Sequence, residues 1–102
     1  MSITLLYRDI YEISTDSTPI QGVKVRGRIR KFALEIQQNL LAENDQERED
    51  IVRFAVPTGE GIESIQKYIV SILPDAHITS VMTNIPNPVL SKLNINDISR
   101  YT

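Results

Sequence analysis

Cysteine is absent from this 102-residue chain, and histidine occurs once, as His77. Without cysteine there is no disulfide, no thiol nucleophile and no thiolate metal site. A single histidine excludes a multi-histidine metal cluster, and any serine–histidine mechanism would have to use His77 itself as the base. Long apolar runs are missing as well. Nothing in the chain approaches the roughly 20 residues of a membrane-spanning helix, and Arg8 and Asp9 interrupt the short apolar opening, unlike a signal peptide. A large charge excess is also lacking. The net charge of −2 argues against broad electrostatic binding to nucleic acid or to a membrane. With no low-complexity segment and no long linker, residues 1–102 read as a single domain. Apolar residues at 41% and charged residues at 24% place it among soluble globular proteins. The expectation is a cytoplasmic protein that uses no metal and no cofactor.

What is present centres on Gln21-Gly22-Val23-Lys24-Val25-Arg26. A β-rich stretch precedes it, ending in the turn formers Ser14-Thr15-Asp16-Ser17-Thr18-Pro19, and a helical pattern follows. Strand, glycine loop and helix start is an arrangement that gathers backbone N–H groups around an anion.

Residues 3–13 are rich in β-branched and aromatic types, which predicts a strand with Tyr11 and Ile13 on one face and Ile10 and Glu12 on the other. Residues 23–32 carry two periods. Val23, Val25, Gly27 and Ile29 alternate with cations as in a strand, while Ile29, Phe32, Ala33, Ile36 and Leu40 form the stripe of an amphipathic helix. The second pattern is longer and rich in helix formers, so a helix is expected over about 26–38. Residues 40–42 either end that helix or open a short strand, with Asn39 as a C-cap between them. Residues 51–56 predict a strand ended by Pro57. Ile62, Ile65, Ile69, Ile72 and Leu73 predict a second helix, and residues 77–83 a further strand. Two prolines make a turn of 84–88, and 89–98 reads as a short last strand. The order implies an α+β sandwich of split βαβ units, with both helices on one face of an antiparallel sheet.

The segment 21–26 resembles the hallmark of the acylphosphatase family, Gln-Gly-Val-x-Phe-Arg, with Val25 in place of Phe. The resemblance extends weakly over most of the chain, through Ala76-His77-Ile78 and Val89-Leu90-Ser91-Lys92-Leu93. The chain differs from the family pattern at Thr18, where a glycine is usual, and in a longer connection through Thr15-Asp16-Ser17. It differs again at Leu41-Ala42-Glu43, where a glycine-tryptophan pair is usual. The resemblance implies a ferredoxin-like βαββαβ fold, here with an extra C-terminal strand, and metal-free hydrolysis of acyl phosphates. It further implies that Arg26 and the loop amides of Gln21, Gly22, Val23, Lys24 and Val25 bind phosphate. Asn44, 18 positions after Arg26, would orient the attacking water. Such chemistry needs no strong general acid, because a carboxylate leaves without protonation. It needs positioning and charge neutralisation.

Other constellations carry less. Lys24, Arg26, Arg28, Arg30 and Lys31 form a basic run, but helical geometry spreads them around the axis, and a solvated face is the better account than an RNA interface. Glu43, Asp45, Glu47, Glu49 and Asp50 lack the spacing of a calcium loop. Thr58-Gly59-Glu60-Gly61 lacks the Gly-Lys-Ser/Thr ending of a nucleotide loop. His77 shows no partner in the sequence and reads as structural. Two functions follow in rank: a hydrolase whose ligand is a small acyl phosphate or inorganic phosphate, then a non-catalytic module that binds a protein partner or a second copy of itself.

Overall fold

Side-chain alternation builds the sheet. In the computed structural model of the protein, which describes residues 6–16, 24–86 and 90, β1 is Tyr7–Ser14 and β3 is Ile51–Pro57. They pair antiparallel with Ile10 opposite Ala55, Tyr11 opposite Phe54, Glu12 opposite Arg53 and Ile13 opposite Val52. Each strand therefore sends successive residues to opposite faces. The remaining elements are α1 Val25–Glu35, β2 Leu41–Asn44, α2 Glu63–Ile72 and β4 His77–Pro86. All strand pairs are antiparallel, and the sheet order is β2-β3-β1-β4. The described residues thus form an α+β fold, a four-stranded antiparallel sheet with two helices.

Both helices cover one face. Val25, Ile29 and Ala33 from α1 and Ile65 and Ile69 from α2 share a core with Ile13, Ala42, Val52, Phe54 and Val56 from the sheet. Two stacked ring pairs reinforce it: Phe32 on Tyr68 joins the helices, and Tyr11 on Phe54 joins β1 to β3. The opposite face holds a second cluster of Ile10, Ala55, Met82, Ile85 and Leu90. In β4 the register against β1 shifts between Ile10 and Tyr11, so Ile78 joins the helix side while Met82 turns to the other.

Several boundaries differ from the sequence expectation. α1 begins at Val25 and stops at Glu35, short of residue 38. The stop is a Schellman turn: Gln37 adopts a left-handed φ of 57°, its N–H donates to Leu34 O, and Gln38 N–H donates to Ala33 O. Gln37 therefore ends the helix where Asn39 was expected to, and Ile36, which the stripe assigned to the core, is exposed. The ambiguous residues 40–42 open a strand, since β2 starts at Leu41. β4 continues through Asn84 to Pro86, where a turn was expected; Asn84 takes a left-handed φ of 60° and its N–H donates to Asp9. The expected strand over 89–98 lies outside the described residues except for Leu90. No helix among the described residues is long and apolar enough to cross a membrane.

Candidate phosphate site at the start of the first helix

Sheet direction brings the candidate residues to one end. The carboxyl end of β1, the first turn of α1, the carboxyl end of β2 and the start of β3 lie together there, because Ser14 pairs with Ile51 and Asn44 with Val52. Of the residues expected to bind phosphate, Gln21, Gly22 and Val23 lie outside the described residues. Lys24 is the N-cap of α1 and adopts a left-handed φ of 58°, with its side chain exposed. Val25 sends its side chain fully into the core, which fixes the first turn against the sheet.

The electrostatics of that first turn are unusual for a helix. Lys24 makes no side-chain capping bond, and no acidic residue lies in the turn. The first helical bond runs from Arg28 N–H to Lys24 O, so the N–H groups of the turn before it have no partner within the helix. Lys24, Arg26 and Arg28 set cations where the helix dipole already favours an anion. Both effects raise the local positive potential.

Arg26 is half-buried and its Nη1 lies 3.5 Å from Glu43 Oε2. The contact ties α1 to β2 one residue before Asn44, so Arg26 and the strand end bearing Asn44 are neighbours. Asn44 is itself half-buried, the last residue of β2. Glu43 was not anticipated as a partner for Arg26. In the sequence it is one of five acidic residues between 43 and 50, and only the placement of α1 beside β2 sets this one within reach of Arg26.

Beneath Asn44 sits a charge network that the sequence also did not disclose. Arg53 lies in the middle of β3 and is almost fully buried. Its Nε donates to Glu12 Oε2 at 2.8 Å, and its Nη1 donates to Asp45 Oδ1 and to the carbonyl of Leu90 at 2.8 Å. Asp45 Oδ2 in turn accepts from the N–H groups of Glu47, at 3.0 Å, and Arg48, at 2.7 Å. Burial alone would push the Asp45 carboxyl up. The N–H of Glu47, the guanidinium of Arg53 and the N–H of Arg48 outweigh it and hold the carboxyl below its ordinary value.

His77 has a partner after all. Its Nε2 lies 2.9 Å from Asp16 Oδ2, and that carboxylate raises the imidazole above its ordinary value. The pair spans the start of β4 and the residues just after β1, at the same end of the sheet, and both side chains are well exposed.

Comparison of the chain with protein-family models, with curated proteins and with solved structures gives no match in any of the three.

Proposed function

We propose that the chain is a ferredoxin-like βαββαβ domain with acylphosphatase-type activity, hydrolysing small acyl phosphates without metal. The strand order β2-β3-β1-β4 with every neighbour antiparallel agrees with that arrangement. The single observation that carries the functional reading is the juxtaposition of the Arg26 turn and the Asn44 strand end through the Arg26–Glu43 contact. A phosphoryl group seated on the first-turn amides meets the Arg26 guanidinium, whose planar fork suits two phosphate oxygens. The Asn44 amide orients a water for attack on phosphorus. The phosphorus–oxygen bond to the acyl group breaks, and the carboxylate leaves with the electron pair. Binding and orientation account for the rate, with no proton donor required.

Hydrolysis of benzoyl phosphate by wild type beside Arg26→Ala tests this reading. Turnover in the wild type should fall by about a hundredfold or more in the variant, the scale of losing one charge-stabilising group. Equal turnover in a folded Arg26→Ala protein would contradict it.

A second reading rests on the same contact. Glu43 already supplies Arg26 with a carboxylate, which competes with a phosphate for the guanidinium. A non-catalytic ferredoxin-like module, docking a protein partner or a second copy through the exposed basic side of α1, would use Arg26 as a structural tie. That reading predicts no hydrolysis by a folded wild type.

A further inference from the structure

Arg53 lies on the sheet face away from the helices, yet its contacts lead to the candidate site. The guanidinium joins three separate parts of the chain: Glu12 in β1, Asp45 just beyond β2, and the carbonyl of residue 90, which is 37 positions further on. Leu90 is nearly fully buried among Ile10, Ala55, Met82 and Ile85, so its carbonyl is held at a defined place by its own side chain. From Asp45 the chain of bonds continues in two directions. Oδ2 organises the β2–β3 turn through the N–H groups of Glu47 and Arg48, and the Asp45 N–H donates to Ile51 O at 3.1 Å, closing the hairpin next to Asn44.

We infer that Arg53 is a positioning residue: it links the buried Leu90 to the strand end that carries Asn44, and so fixes where the Asn44 amide points. This rests on the reading of Arg26 and Asn44 as the reactive site. An arginine suits the task because its fork meets Glu12 on one nitrogen while another serves Asp45 and the Leu90 carbonyl together. A lysine keeps the charge but offers one nitrogen for partners that approach from different sides.

The link predicts a split between catalysis and binding. Arg53→Lys is expected to lower kcat on benzoyl phosphate by about tenfold to a hundredfold, the cost of misplacing a reacting group by a fraction of an ångström to an ångström. Inhibition by inorganic phosphate, which depends on Arg26 and the first-turn amides, is expected to stay within about twofold. A merely structural arginine would leave kcat of the folded fraction unchanged, or would weaken kcat and phosphate inhibition together, and either result overturns the inference. Nuclear magnetic resonance of Leu90→Ala provides a readout that needs no turnover. The N–H signals of Glu47 and Arg48 and the side-chain amide of Asn44 are expected to shift, while the amides of α2 stay in place. Signals unchanged at 44–48, or moved equally in α2, would overturn the link. A wild type that hydrolyses nothing would end the hydrolase reading, and Arg53's part in a reaction with it, while the resonance shifts still decide whether the link exists.

Discussion

The two faces of the sheet are held by different physics. The helix-covered face has an apolar centre, with Ile13, Val52, Phe54 and Val56 packed against Ile29, Ile65 and Ile69. Its stabilisation comes from area removed from water, which is large but tolerant of small displacements. The other face has a smaller apolar cluster and, beside it, one buried guanidinium with bonds to Glu12, Asp45 and the Leu90 carbonyl. Such a group adds little net stability compared with an apolar replacement of the whole network, but it fixes directions. One face supplies most of the folding free energy and the other supplies geometry at the end where Arg26 and Asn44 lie.

Breaking each face in turn exposes the contrast. On the helix side Phe54→Ala removes a fully buried ring stacked on Tyr11 and should cost about 3–5 kcal/mol of unfolding free energy in denaturant titrations. On the outer face Arg53→Ala leaves the Glu12 and Asp45 carboxylates without their shared cation. It should cost about 3 kcal/mol, the lower part of the range for a broken buried pair, because Glu12 is partly exposed. Equal losses with identical local resonance shifts would erase the distinction between the faces.

Acid should separate them next. The folded Asp45 carboxyl lies below its ordinary value, so its contribution is whole above the unfolded carboxylate pKa of about 4 and is lost as pH falls through the lowered folded value. Asp45→Asn should be less stable than wild type at neutral pH and should lose that difference on acidification, as thermal melts would record. A gap that stays constant down to pH 2 would contradict the assignment.

Glu43→Gln should change stability by less than about 1 kcal/mol, since the pair with Arg26 is only half-buried. Under the hydrolase reading it should strengthen phosphate inhibition, because a competing carboxylate is gone. Weaker inhibition would favour Glu43 as a necessary orienter of Arg26. The smallest effect belongs to His77. Its folded pKa is raised by Asp16, so whatever the pair contributes is present below the unfolded pKa of about 6.5 and fades as pH rises through the folded value. His77→Ala should remove that slight alkaline loss and nothing more, because both partners are exposed.

Much of this fold was legible as periodicity. The alternation of Tyr11 and Ile13 against Ile10 and Glu12, and the run Ile51–Val56 before Pro57, name the central strands because the pleat sends successive residues to opposite faces, each with its own apolar cluster. The helix boundaries were less legible, since Gln37 takes a left-handed conformation that glycine or asparagine more often signals. The charge network was invisible. Arg53 reads as one polar break in an apolar strand until pairing sets Glu12 beside it and the turn after β2 brings Asp45 within reach. The same applies to Glu43, one acid among several until β2 lies along α1. Pattern shows which face a residue occupies. Long-range partners of charged side chains depend on topology.

Titration of the wild-type protein with inorganic phosphate at constant ionic strength, followed by amide resonances, decides whether the first turn of α1 and Asn44 form one phosphate site. Such a site gives saturable shifts at the N–H groups of residues 25–27 and at the Asn44 side-chain amide, with chloride producing none. Shifts that never saturate, or that spread equally to the exposed Arg28, Arg30 and Lys31, would show an unspecific basic surface and contradict it.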